Sequence, residues 1–348
     1  MKISVIVSTY NHPSYLTLVL DSLKNQVNAG EYEIVIADDG SGPETKKVVE
    51  DFQKIFPVPL IHAWQKDLGF RLAASRNNAC KLSSGDYLIF LDGDCIPKKD
   101  FVEKHRKLAE KGFFVTGTRV LLSQTFSLDL ENQVTRLDTN NFFKLFRHFF
   151  DNHFNKIISV FYNPFFPRKL DKNNWKKLRG CNFAVWREDL FKVNGFDEGF
   201  TGWGFEDSDF AVRLINAGVR RKAGNFAVTV FHLYHKELKT KQEGPSWDRL
   251  LLTLKQKKVA CKKGVFSPFS SLLLFSSPVS KIHSPPFIPD SPGFLFIEGI
   301  QTALHHFYVI TQWAFCPFFK SLKVEWPMCT LFRISSFFKS ARFCNSPM

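Results

Sequence analysis

The chain has no CxxC pair, and its seven cysteines are scattered over 348 residues. That spacing argues against a zinc module and against the disulfide framework of a small secreted domain. Acidic residues are in deficit: 33 Asp and Glu stand against 47 Lys and Arg, a formal charge of +14. A basic surface attracts anions, whether nucleic acid, acidic phospholipid or phosphorylated sugar, and composition does not choose among them. No nucleic-acid reading motif accompanies the charge, so no nucleic-acid partner is expected. Ser8–Pro13, after the first apolar run, contains no glycine. A nucleotidyltransferase would show a Gly-rich phosphate loop there. The run MKISVIVSTYNH is interrupted early by Asn11 and His12. It reads as a strand rather than a signal peptide, which with the cysteine pattern implies a reducing, cytoplasmic site of action.

What is present is a regular alternation. Ile3–Ser8 is a β-branched run, and Tyr15–Gln26 places Leu16, Val19, Leu20 and Leu23 at helical spacing. Glu33–Ala37 is a second strand, Pro43 opens a second helix, and Leu60–Ala63 is a third strand. A helix over Leu72–Leu82 and a strand over Asp86–Leu91 follow. Strands alternating with helices predict βαβ units, a mainly parallel sheet, and a ligand site outside the carboxyl ends of the strands. Thr9–Asn11, Asp38–Ser41 and Asp92–Asp94 each follow directly on an apolar strand, at that edge.

Two stretches depart from this pattern. From Asn140 to Trp175, phenylalanines mix with Lys, Arg and His. Such a segment either packs its Phe stripe on the domain or lies in a membrane interface. Residues 264–348 hold only 9 charged residues, but 9 of the 17 prolines and 14 of the 39 phenylalanines. This tail is expected to be disordered or membrane-associated. Gly299–Phe319 is apolar, but His305, His306 and Gln312 make it a costly membrane span.

Three clusters carry chemistry. In Asp92-Gly93-Asp94, two carboxylates one residue apart can hold a hard divalent cation, while the small glycine lets a diphosphate approach. In Gly202-Trp203-Gly204-Phe205-Glu206-Asp207-Ser208-Asp209, glycines flank an indole suited to the apolar face of a sugar. The acids after it open a helix continued by Val212, Leu214 and Ile215, where the helix dipole favours negative charge. His232 and His235 follow the apolar run Phe226–Phe231, and at least one of them is expected to be a metal ligand.

In this order the motifs resemble the family 2 glycosyltransferases of GT-A fold, and the second half resembles their galactosyltransferase-type acceptor region. The matching segments are Val5–Asn11, Asp38–Ser41, Gly69–Asn77 with Arg71 and Arg76, and Asp92–Asp94. Gly180–Asn182, Gly195–Glu198, Gly202–Asp209 and Val230–His232 complete the set. The resemblance implies an α/β fold, a Rossmann-like nucleotide-binding mixed sheet flanked by helices. It implies a nucleotide-sugar half over 1–115 and an acceptor and catalytic-base half over 116–263.

It also implies roles. Thr9, Tyr10 and Asp39 would line the uracil and ribose pocket, with Asn11, Asp38 and Gly93 around it. Arg76 would sit near the nucleotide and Arg71 near the diphosphate. Asp94 and His232 would ligate Mn2+ or Mg2+, with Asp92 assisting through ribose or water. Asp207 would be the general base and Glu206 would position the acceptor, while Trp203, Gly204 and Asn182 would contact sugar.

No Gln-x-x-Arg-Trp run occurs, which argues against a processive polysaccharide synthase. The expected activity is inverting, metal-dependent transfer of a hexose or N-acetylhexosamine from a UDP-sugar. The acceptor would be a glycan or lipid-linked glycan of the bacterial surface, with the protein peripheral on the inner face of the plasma membrane. The alternative, an inactive sugar-binding module of the same fold, predicts loss of the base or of a metal ligand. Asp94, Asp207 and His232 are all present.

Overall fold

The computed structural model describes residues 1–139, 141–236 and 242–266. The tail expected over 264–348 lies outside the described residues beyond Phe266. β1 (Ile3–Thr9) and β2 (Tyr32–Asp38) are buried along their whole length, as strands covered on both faces must be. Their side chains alternate between two cores. Val5, Val7, Ile34 and Ile36 face one, with the inner residues of α1 (Pro13–Lys24) and α2 (Pro43–Ile55). Ile6, Val35 and Ala37 face the other, with α3 (Leu72–Leu82). Each fully buried aliphatic side chain contributes about 1.5–3 kcal/mol, so the sheet's place between its helices is set by this period-two pattern. Proline at the start of α1 and α2 costs no hydrogen bond, because the first helical amides have no partner in the helix.

After β3 (Leu60–Trp64) and β4 (Tyr87–Asp92) come β5 (Cys95–Pro97), α4 (Phe101–Leu108), β6 (Phe113–Thr116) and β7 (Thr118–Leu121). The second half adds α5 (Gln124–Glu131), α6 (Phe142–Phe150), β8 (Asn182–Trp186), α7 (Arg187–Lys192), α8 (Glu206–Asn216), β9 (Arg220–Ala223), β10 (Thr229–His232) and α9 (Pro245–Lys255). Seven strands form one mixed sheet in the order β3-β2-β1-β4-β8-β6-β9. The first four are parallel, whereas β8 runs antiparallel to both neighbours. β8 and β9, from later in the chain, thus extend the sheet begun by the first four strands, and the described residues belong to one compact unit.

A second sheet places β10 between β5 and β7. Strand order reverses between β1 and β4, the switch point where α/β sheets bind ligands. Thr9 lies beside Asp38, and Ser8 beside Asp92, at that edge.

The basic aromatic stretch forms α6, and its Phe stripe divides, with Phe146 and Phe149 partly buried against the core and the others turned outward. Leu145 is the helix's one buried residue, and Phe142, Phe143 and Phe150 are exposed. No helix among the described residues is long and apolar enough to cross a membrane.

Candidate active site

The loops after β1 and β2 brace each other. The Asn11 amide donates to Ser41 Oγ (2.9 Å), and Asn11 Oδ1 accepts from the Gly42 amide (2.8 Å). Asp38 points inward: its Oδ1 accepts from the Gly40 and Ser41 amides, and Oδ2 lies 2.8 Å from His62 Nε2. Burial opposes its ionisation, but those hydrogen bonds hold its carboxyl below the usual range. Asp39 accepts from the Arg71 amide (2.7 Å) and the Gln65 side chain (2.6 Å), so it fixes the loop that carries Arg71. Tyr10 is half exposed, its hydroxyl bonded to Asp67 (2.9 Å). Thr9 is buried at the end of β1.

Arg76, expected beside the nucleotide, is buried and ties the site together. Its guanidinium reaches Ser8 Oγ (3.2 Å), Asp92 Oδ1 (3.0 Å), Glu206 Oε1 (3.3 Å) and the Gly180 carbonyl (3.1 Å). It joins β1, β4, the loop before β8 and the start of α8. Burial pushes Asp92 up to about 6, against the pull of Arg76. Burial and the Asp207 charge push Glu206 up to about 7. A carboxyl raised from 4.5 to about 7 holds a proton that the unfolded chain has released across that window. Its contribution to stability is therefore full below the lower value and is lost as pH rises through the higher one. Glu206→Gln, which cannot ionise, is expected to gain about 2–3 kcal/mol relative to the parent between pH 5 and pH 8. Urea unfolding at the two pH values measures this, and a difference that does not change with pH refutes it.

The Asp92–Asp94 turn is locked to β1. The Gly93 amide donates to the Ser8 carbonyl (2.7 Å), and a Cβ at Gly93 would stand 2.8 Å from that oxygen. The glycine is therefore required by the neighbouring strand. Asp94 faces β10. Its Oδ2 lies 3.6 Å from His232 Nε2 and 3.2 Å from His235 Nε2, and one ligand atom from each residue lies within 4.8 Å of the others. Burial disfavours ionisation of Asp94, but the two imidazoles and the Cys95 thiol keep its carboxyl below the ordinary range. Asp92 is directed to Arg76, and among the described residues Asp94, His232 and His235 form the group that could hold a metal ion. Arg119 Nη1 lies 3.5 Å from His232 Nε2. Arg119, a lone arginine on the short strand β7, carries no local signal in the sequence.

Before α8 the backbone is turned sharply. Gly202, Gly204 and Phe205 have φ of +87°, +103° and +70°. Glycine enters this region without a steric cost, whereas Phe205 is strained there. The turn exposes Trp203 (44%) and starts α8 at Glu206. Asp207 lies in the first turn of α8, its Oδ2 accepting from the Gly180 amide (2.8 Å) and its Oδ1 from Ser208 Oγ (3.2 Å). The Gly202 amide donates to the Phe70 carbonyl (3.0 Å), so this loop rests beside the one that carries Arg71. Asn182, expected against sugar, is fully buried and bonds the Thr118 and Val228 carbonyls.

Residues 4–184, more than half of the chain, match the family model described as glycosyl transferase family 2. Residues 166–236 match the one described as the N-terminal domain of galactosyltransferase. The chondroitin synthase of Escherichia coli is 26% identical over 253 residues, covering 68% of this chain and 34% of that protein. Validoxylamine A glucosyltransferase of Streptomyces hygroscopicus subsp. limoneus is 28% identical, covering 62% of this chain and 48% of that protein. The glycosyltransferase YfnE of Bacillus subtilis strain 168 is 30% identical, covering 63% of this chain and 62% of that protein. This chain therefore spans less than two thirds of the length of each. The family 2 match runs from the first strand through Asp94, the second match takes in Asp207 and His235, and the chain belongs to glycosyl transferase family 2.

Proposed function

We propose that this chain transfers a hexose or N-acetylhexosamine from a UDP-sugar to a glycan or glycolipid acceptor, non-processively and with inversion. The acceptor would belong to bacterial surface polysaccharide or lipopolysaccharide, assembled at the inner face of the plasma membrane. The carrying observation is that the turn after β4 and the end of β10 bring together Asp94, His232 and His235, while Arg76 joins the neighbouring Asp92 to the Gly180 backbone that holds the Asp207 carboxylate. The name of one relative, a glucosyltransferase, supports a hexose as the donated group.

A divalent cation fits the donor set of one carboxylate and two imidazoles. Two nitrogen donors favour Mn2+ over Mg2+, which prefers oxygen ligands. When bound, such a cation supplies neutralisation of the departing diphosphate. The remaining work belongs to side chains of the chain itself. Asp207, held by the Gly180 amide, takes the proton of the attacking acceptor hydroxyl. Attack from the face opposite the diphosphate inverts the anomeric carbon. Arg76 keeps Glu206 beside Asp207 at the head of α8, and Trp203 offers a flat apolar wall to the acceptor ring.

Calorimetric titration of UDP into the full chain, with Mn2+ and then with chelator, tests the donor part. Binding is expected with Mn2+, to be lost in chelator, and to be weakened by at least about tenfold in Asp94→Ala. Equal affinity with and without chelator would remove the metal from the reading.

A further inference from the structure

We infer that the outer face of α6 is a docking surface for an anionic lipid bilayer. The inference deepens the acceptor part of the proposed function and rests on it for its purpose, though not for its evidence. On one side α6 is already anchored. Leu145 is buried, and the His148 ring packs 4.5 Å from Phe126 and 5.7 Å from Phe154. A surface helix so seated is expected to turn polar residues outward. Instead Phe143 and Phe150, seven residues apart and hence on one face, are 82% and 74% exposed. Arg147 lies between them, with its side chain 82% exposed.

The rings are continuous. Phe142 lies 5.8 Å from Phe143 and 4.5 Å from Phe146, Phe146 lies 6.3 Å from Phe150, and Phe161 covers the edge at 5.1 Å from Phe142. An exposed apolar patch of this kind marks an interaction site.

Charge selects the occupant. Residues 141–177, the segment containing α6, carry eight Lys or Arg against two Asp. Within the helix, Lys144 and Arg147 are interleaved with the exposed rings, and their contacts with Asp138 (3.5 Å) and Asp151 (3.6 Å) are solvent-exposed and weak. Aromatic rings beside basic side chains on one helix face are what an interfacial helix presents to anionic headgroups and the acyl boundary. A protein partner would leave the positive charges without counterparts unless it were itself acidic.

The patch also adjoins the site. A cavity of about 580 Å³ separates α6 from the end of β7 and is lined by Leu121, Leu122, Phe149, Phe150 and Phe154. Leu121 is the cross-strand neighbour of His232. Docking through α6 would therefore hold the site close to a lipid-borne acceptor.

The test is co-sedimentation of the full chain with phosphatidylglycerol or phosphatidylcholine vesicles. The parent is expected to bind the anionic vesicles, to release them at high salt, and to bind phosphatidylcholine weakly. Phe143→Ser/Phe150→Ser should lower partitioning by at least about tenfold, and Arg147→Glu should lower it on anionic vesicles alone. Parent-like binding by both variants would overturn the inference, as would equal binding of the parent to the two lipids or binding to neither. A dimer of the parent dispersed by the Phe substitutions would show that a second copy covers the face, and would overturn it too. UDP titration of the same variants should be unchanged. A failure of vesicle binding with UDP binding intact thus refutes the surface alone, whereas loss of UDP binding in the parent refutes the transferase reading.

Discussion

Asp207→Asn is expected to lower kcat for sugar transfer by about 10²-fold or more while changing UDP affinity by less than about twofold. The amide cannot accept a proton from an acceptor hydroxyl. It does keep an oxygen in the place of Oδ2, where the Gly180 amide donates at 2.8 Å, so the loop before β8 stays in register. The substitution also leaves the Arg76 contacts with Asp92 and Glu206 in place. Steady-state kinetics of transfer, paired with UDP calorimetry, separate the roles. Full activity would remove Asp207 from the chemistry. Equal losses of activity and UDP binding would assign it to the frame of the donor site instead.

Much of the fold over the first four strands was legible in the sequence, because its signals are local. The helix over Leu72–Leu82 forms with those bounds, and the strands ending at Thr9, Asp38 and Asp92 stand where apolar runs give way to polar clusters. Later elements were less legible. The run Phe226–Phe231 reads as one strand, yet β10 starts only at Thr229, because Phe226 has φ of +57° in a preceding turn. Pairing is a tertiary fact. Nothing local announces that β8 runs antiparallel between β4 and β6, or that Asn182 serves the Thr118 and Val228 carbonyls across that join. The donor set shows the same division. Asp94 and His232 each stand in a motif, whereas the turning of Asp92 toward Arg76, and of His235 toward Asp94, depends on residues far apart in sequence.

Arg76→Met is expected to destabilise the protein by about 3–5 kcal/mol at pH 8, the cost of removing one partner from a buried ion pair. Methionine fills much of the volume, so the loss is electrostatic rather than a cavity. Without the guanidinium, Asp92 and Glu206 each lose their cation, and the Asp207 charge is no longer balanced. Both carboxyls already sit above their ordinary range with Arg76 in place, because they are buried. Removing it raises them further, so the folded variant retains protons that the unfolded chain gives up. Its deficit should then shrink as pH falls toward 5, where those carboxyls are neutral in the folded state. Arg76→Lys should restore little, since an ammonium does not span four partners as a planar guanidinium does. Urea unfolding midpoints at pH 8 and pH 5 decide the matter. A loss below about 1 kcal/mol at pH 8 would place the arginine outside the stability of the fold, and a loss equal at both pH values would mean that packing, not charge, is what Arg76 supplies.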